Sequence, residues 1–149
     1  MERRTYARPA VFLDRDGVII KEVGYLRDPK QIKILPGAAG AILRLRQAGF
    51  LLIVVSNQSA VARGMLTLSG LSGITQSLKR ALTVKGATLD AIYYCPHHPP
   101  AGDRVRCICR KPGLGMLTKA SRRFNIDLSS SYLVGDTTTD MLTARRAGI

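Results

Sequence analysis

Carboxylates are scarce in this chain. Eight Asp and two Glu stand against 23 Lys and Arg, for a formal net charge of +13 over 149 residues. Such a surplus suits a solvated basic surface, an anionic small substrate or a nucleic acid. Aromatic residues make up only 5% of the chain, and no base-stacking motif of the ribonucleoprotein kind occurs, so RNA binding by that route is not expected. Long apolar runs are missing too. None approaches the roughly 18–20 residues that span a bilayer. The short run Val11-Phe12-Leu13 ends in Asp14-Arg15-Asp16, which a signal-peptide core would not contain. The expectation is a cytoplasmic protein, a monomer with no membrane partner. Repeats, low-complexity segments and linkers are also absent, and the length suits one domain over residues 1–149. Cysteine is limited to Cys95, Cys107 and Cys109, an odd number that argues against a disulfide framework.

What is present has a clear order. Four short apolar runs, Ala10–Leu13, Phe50–Val55, Ala91–Tyr94 and Tyr132–Val134, read as strands. Between them lie helical stripes: Ala38, Ala41, Ile42 and Leu45, closed by Gly49; Leu71, Ile74, Leu78 and Leu82, closed by Gly86; and Leu114, Leu117, Ala120 and Phe124, with Asn125 at the capping place. A last helix starts near Thr138. Strands alternating with helices predict an α/β fold, a Rossmann-like parallel sheet with helices on both faces. In such sheets ligands bind beyond the carboxyl ends of the strands. The first run ends in Asp14-Arg15-Asp16-Gly17, the second in Ser56-Asn57-Gln58-Ser59, and the fourth in Gly135-Asp136. The third runs into a Cys/His cluster that delivers Arg110-Lys111. Polar chemistry is thus expected to gather on one rim.

With so few acids, the close pairs Asp14/Asp16 and Asp136/Asp140 carry weight. Two carboxylates at a strand end, or four apart at a helix start, share a side. They repel unless a proton or cation separates them, and magnesium prefers such oxygen ligands. An Asp-x-Asp by itself is commonly a solvated turn, and a Gly-Asp before a helix a simple cap; together they are much rarer.

The set resembles the haloacid dehalogenase superfamily of phosphatases. Phe12-Leu13-Asp14-Arg15-Asp16-Gly17-Val18 matches its first motif, Ser56 its second, Lys111 its third, and Gly135-Asp136-Thr137-Thr138-Thr139-Asp140 its fourth. The resemblance implies a haloacid dehalogenase-like fold and an aspartyl-phosphate mechanism. Asp14 would be the nucleophile. Asp16 would act first as acid and then as base, and so begin protonated through its closeness to Asp14. Ser56 and Lys111 would stabilise the phosphoryl group. Magnesium would be held by Asp14, Asp136 and the backbone carbonyl of Asp16, with Asp140 orienting its waters.

Cys95-Pro96-His97-His98 is followed, after eight intervening residues, by Cys107-Ile108-Cys109. Three thiolates and one imidazole satisfy tetrahedral zinc and leave no open position, so a structural zinc site is expected from Cys95, His97, Cys107 and Cys109, with His98 the alternative. Clamping the loop Pro99-Pro100-Ala101-Gly102-Asp103 would position Arg110 and Lys111. This cluster, with Ser56-Asn57-Gln58-Ser59, Val61-Ala62-Arg63-Gly64 and Gly24-Tyr25, resembles the D-glycero-D-manno-heptose-1,7-bisphosphate 7-phosphatases. That resemblance implies no large cap domain, a sugar phosphate as substrate, and contacts to it from Glu22, Val23, Gly24, Tyr25, Asn57, Gln58, Ser59, Arg110 and Thr137. Histidinol-phosphate phosphatases, or broader sugar-phosphate phosphatases, are the alternative. They resemble a shorter loop than the eleven residues between Cys95 and Cys107. A basic, zinc-clamped nucleic-acid module is the reading from another class. The resemblance also implies a further strand and helix beyond Ile149, so either the sequence is truncated or the sheet has lost an edge.

Overall fold

A computed structural model describes residues 6–98 and 107–149. The Pro99–Asp103 stretch expected to be pinned by metal lies outside the described residues. The elements run β1 (Ala10–Leu13), α1 (Ala38–Gln47), β2 (Leu51–Asn57), α2 (Leu68–Val84), β3 (Ala91–Cys95), α3 (Gly115–Phe124), β4 (Tyr132–Val134) and α4 (Thr138–Ala147), with single 3-10 turns at Pro29–Gln31 and Leu128–Ser130. The strands form one parallel sheet in the order β3-β2-β1-β4.

Every residue of β1 is buried, as is all of β2 up to Ser56, the near-continuous apolar pattern of strands covered on both sides. Their alternation divides the core. Val11, Leu13, Leu52 and Val54 face α1 and α2 with Ile42, Ile74, Leu78 and Leu82. Ala10, Phe12, Ile53 and Val55 face α3 with Met116, Leu117 and Ala120. In α1 the buried line is Ala39 and Ile42, while Ala38, Ala41 and Leu45 are half-buried. Helix ends follow the expected chemistry. Thr67 caps α2 by accepting from the Gly70 amide, and Asn125 closes α3 in the left-handed region at φ 50°.

Residues 14–37 hold no α-helix. They wind over the top of α1 and α2 as a compact segment tied by bridges of Ile20 to Asp16 and Ile34, with Ile19, Ile20 and Leu26 fully buried in the α1/α2 core. The chain walks outward from β1 through β2 to β3, then returns to place β4 on the other side of β1. That reversal opens a crevice between the carboxyl ends of β1 and β4. Among the described residues, no helix is long and apolar enough to cross a membrane.

Candidate active site

Four strand ends meet at this crevice. Asp14 leaves β1 with its amide still bonded to the Val134 carbonyl of β4 at 3.0 Å, so pairing of the two strands continues to the site itself. The turn after it needs Gly17. The residue sits at φ +77°, and a Cβ there would collide with the Asp136 carboxylate. The loop after β1 and the loop before α4 are therefore in direct contact, though 119 residues separate them in sequence.

Lys111 is the hub. Its ammonium is 3.0 Å from Asp14 Oδ2 and 2.5 Å from Asp140 Oδ1, with its side chain 2% exposed. The backbone is held as tightly: Asn57 Nδ2 donates to the Lys111 carbonyl at 3.2 Å, and the Lys111 amide donates to Asn57 Oδ1 at 2.9 Å. The same loop is wound so closely that a Cβ at Gly113 or Gly115 would approach the Ile108 carbonyl oxygen to 2.6 or 2.7 Å. Asp140 is fully buried and forms a capping box with Thr137, its carboxylate accepting from the Thr137 hydroxyl at 2.6 Å. Burial works against its ionisation, but the Lys111 ammonium and the Thr137 donors prevail and hold its carboxyl below the usual range. Asp14 is the opposite case. Burial pushes its carboxyl above the usual range, with Lys111 pulling the other way.

Ser56, 1% exposed, accepts from Gln58 Nε2 at 2.9 Å. Its own hydroxyl proton is then available for a ligand oxygen. The Asp16 carboxylate faces not Asp14 but Arg15 and Gln58. It pairs with Arg15 Nη2 at 2.9 Å and accepts from Gln58 Nε2 at 2.9 Å. This geometry differs from the expectation that closeness to Asp14 loads Asp16 with a proton: donors, not a second carboxylate, surround it. Arg15 itself is 1% exposed. Burial opposes its charge, the Asp16 carboxylate overrides that, and its pKa stands above the ordinary value.

A cleft of about 250 Å³ takes in Asp14, Asp16, Glu22, Ser56, Asn57, Arg110, Lys111, Asp136, Thr137 and Thr139. It thus unites residues from both ends of the chain. Asn57 and Gln58, expected at the substrate, use their amides inside the protein, on Lys111 and on Asp16 and Ser56 respectively. Val23, Gly24, Tyr25 and Ser59 do not line this cleft. Glu22 folds back to accept from the Gly24 amide at 2.6 Å. Tyr25 lies under the Arg63 guanidinium, 5.6 Å from ring centre, and Arg63 contacts His98 at 2.8 Å. Arg110 donates to the His97 carbonyl at 3.1 Å. Nothing local in the sequence marks Arg15 or Arg63, because their side-chain partners Gln58, Tyr94, Tyr25 and His98 come from elsewhere in the chain. Thr139 of the fourth motif also lines the cleft. A larger groove, about 850 Å³, runs between Ile108 and Arg122 on α3, but among the described residues no carboxylate lines it.

Among the described residues, two groups could hold metal ions. Carboxylate oxygens of Asp14, Asp136 and Asp140 lie within 4.8 Å of one another. Cys95, His97, Cys107 and Cys109 converge more tightly. All six distances among the three Sγ atoms and His97 Nδ1 lie between 2.9 and 3.5 Å. Six near-equal edges describe a tetrahedron, and the donors are those a zinc ion prefers. His97, not His98, supplies the imidazole corner. The thiols are uneven: donor contacts bring Cys107 down to about 6 despite its burial, while burial pushes Cys95 and Cys109 up.

Residues 108–149 match the HAD-hydrolase-like family. Over 148 residues the chain is 41% identical to the D-glycero-beta-D-manno-heptose-1,7-bisphosphate 7-phosphatase of Yersinia pestis, covering 97% of this chain and 79% of that protein. The solved D,D-heptose 1,7-bisphosphate phosphatase of B. bronchiseptica, complexed with magnesium and phosphate, superposes with a TM-score of 0.84 at 38% identity, covering 94% of this chain and 76% of that one. A HAD-like phosphatase of Mesorhizobium loti gives 0.89 at 36% identity, covering 95% and 69%. The sheet order, the carboxylates around Lys111 and this likeness lead to one conclusion: the chain belongs to the D-glycero-beta-D-manno-heptose-1,7-bisphosphate 7-phosphatase family of haloacid dehalogenase-like hydrolases.

Proposed function

We propose that this protein removes the 7-phosphate of D-glycero-D-manno-heptose 1,7-bisphosphate through a phosphoryl group carried transiently on Asp14. The observation that carries the reading is Lys111, locked between Asp14 and Asp140 and tied by its backbone to the strand end that bears Ser56. A carboxylate attacks a phosphate only where the negative charge of both is offset. Asp14 Oδ2 and the Lys111 ammonium form that arrangement in advance, and Ser56 offers its hydroxyl to a phosphoryl oxygen. Asp16 must first take up a proton from solvent, because its neighbours are donors rather than a second carboxylate. Asp14 attacks phosphorus while Asp16 passes that proton to the departing sugar oxygen. Asp16 then takes a proton from the water that cleaves the aspartyl phosphate, which returns Asp14 and releases phosphate.

The hard oxygen donors of Asp14 and Asp136, with the Asp16 carbonyl, suit magnesium, which when bound neutralises phosphoryl charge. Asp140 spends both oxygens on Lys111 and Thr137, so its part is to hold the ammonium. The soft tetrahedral cluster suits zinc with no open position, so its part is to hold the loop that presents Arg110 and Lys111. Arg110 lines the cleft, and Arg63 stacks on Tyr25. The planar guanidinium of Arg110 fits the phosphate at the far end of the sugar, and Thr137 fits a contact at the reacting end.

A phosphate-release panel tests this reading. Heptose bisphosphate should be preferred over fructose bisphosphate and histidinol phosphate, with magnesium required. Arg110→Ala should lower kcat/KM for the bisphosphate by about 2–3 kcal/mol, the scale of a lost charged hydrogen bond, and hardly affect a small monophosphate. Preference for histidinol phosphate, or equal Arg110→Ala losses on both substrates that vanish with salt, would refute the substrate assignment.

A further inference from the structure

An arginine beside a phosphate-transfer nucleophile would ordinarily be expected to grip phosphate. Arg15 does not. It is 1% exposed and takes no part in lining the cleft that holds Asp14, Ser56 and Lys111. Its side chain turns inward, and its fork closes on its own neighbour. Nε and Nη2 donate to Asp16 Oδ1 at 3.2 and 3.1 Å, and Nη2 also reaches Asp16 Oδ2 at 2.9 Å. The same Nη2 donates to Gln58 Oε1 at 2.8 Å. Gln58 completes the circuit, its Nε2 donating to Asp16 Oδ2 and to Ser56 Oγ, both at 2.9 Å. The plane of the guanidinium is backed by Tyr94, 5.6 Å from its ring centre.

Holding the fold does not require this arrangement. The turn after β1 is closed by the Arg15 carbonyl, which accepts from the Ile19 and Ile20 amides at 2.9 and 3.1 Å whatever the side chain. Burying a guanidinium is costly even when paired, and here Nη1 is buried with no hydrogen-bond partner. An apolar side chain would fill the space at less cost. What the charged fork supplies is orientation. With three contacts from one rigid plane and a fourth from Gln58, Asp16 has one direction left in which its carboxylate can point.

We propose that Arg15 and Gln58 act as positioning residues, a buried clamp that fixes the Asp16 carboxylate relative to Ser56, and so relative to the phosphoryl group Ser56 anchors. This rests on the reading of Asp16 as the proton donor to the leaving group. Neither residue touches substrate. The clamp acts by keeping the acid and the anchor in register, and misplacement of a reacting group by about 1 Å can cost about a hundredfold in rate.

The test uses the step in which the leaving group departs. In this mechanism kcat/KM reports transfer up to formation of the aspartyl phosphate. An alkyl leaving group needs a proton there, and the p-nitrophenolate of p-nitrophenyl phosphate needs little. Arg15→Met, Arg15→Lys, Gln58→Leu and Asp16→Asn would be compared on heptose bisphosphate and on p-nitrophenyl phosphate, with urea denaturation to confirm folding. The expected result is a loss of about a hundredfold for Arg15→Met on the sugar phosphate and less than about fivefold on the aryl phosphate. Arg15→Lys should recover part of the loss, since it restores one donor without the fork. If Arg15→Met fails to fold, Gln58→Leu keeps the Arg15–Asp16 pair and should show a smaller loss with the same substrate dependence. Equal losses on both substrates, while Asp16→Asn loses the sugar phosphate selectively, would overturn the clamp and leave the role of Asp16 standing. No selectivity in Asp16→Asn itself would overturn both.

Discussion

Replacing Lys111 by Met tests the centre of the site. Methionine matches the stem of lysine and removes only the charge and its donors. Two carboxylates would then face each other without a cation: Asp140, fully buried, and Asp14, already pushed up by burial with Lys111 as its main opposing influence. Removing one partner of a buried ion pair costs about 3–5 kcal/mol, and this ammonium serves two. Unfolding free energy measured in urea at neutral pH should fall by about that amount. In catalysis the variant loses a positioned charge on the transferring phosphoryl group. A single preorganised donor is worth about 2.7–4 kcal/mol, so kcat/KM should fall by about 10²–10³-fold. The Asp14 carboxyl should also climb further, leaving less nucleophile at neutral pH. Repeating Lys111→Met in an Asp14→Asn background isolates the pair, because an amide at position 14 needs no cation. The stability loss there should be clearly smaller. Activity within tenfold of the parent, or a stability change below about 1 kcal/mol, a size ordinary for surface substitutions, would refute the assignment of Lys111 as the hub.

Asp14→Asn should abolish turnover while circular dichroism stays unchanged. Because burial raises the Asp14 carboxyl, its ionisation costs stability as pH rises, so the amide should unfold no earlier than the parent at neutral pH in metal-free buffer. Asp140 has the opposite sign: its depressed pKa means its contribution is present above the ordinary carboxylate value and lost as pH falls through the folded value. Urea midpoints measured from about pH 7 down to about pH 2 should therefore fall less steeply for Asp140→Asn than for the parent below about pH 4; parallel curves would contradict this. Metal analysis should find about one zinc per chain, and Cys107→Ser should lose it and lower kcat. Gly17→Ala should cost at least about 1–2 kcal/mol from its left-handed backbone alone, and more from the collision with Asp136, read as a lowered urea midpoint together with reduced activity.

The sheet was legible because its strands are short apolar runs with helical stripes between them. The observed ends of β1 and β4 fall where the apolar runs end, and β2 extends two residues further than its run, to Asn57, because Ser56 and Asn57 still pair with β3. The carboxylates were legible because scarcity of acid made each pair conspicuous. Less could be read where a side chain serves the interior through a partner far away in sequence. Asn57 looks like a residue for substrate, yet its amide is complementary to the Lys111 backbone, 54 positions away. Arg15 looks like a surface cation, and nothing local shows that Gln58 and Tyr94 wait for it. Residues 17–36 have no period because their order comes from separate burials of Ile19, Ile20 and Leu26 beneath irregular backbone.

The contact of Gly17 with Asp136 also bears on the order in which the protein is made. A chain emerges from its N-terminus during synthesis and tends to fold as it appears. The strand carrying Asp14 comes out before the others, β2 can pair with it early, and β3 can then add to the far edge of β2. Until residues 132–140 have emerged, β1 lacks its second neighbour, Asp136 is not lodged against Gly17, and Asp140 is not there to hold Lys111. An unfinished chain therefore carries the nucleophile without the means to use it. Residues 132–140 complete the site, so the chemistry can begin only after that segment has emerged and packed.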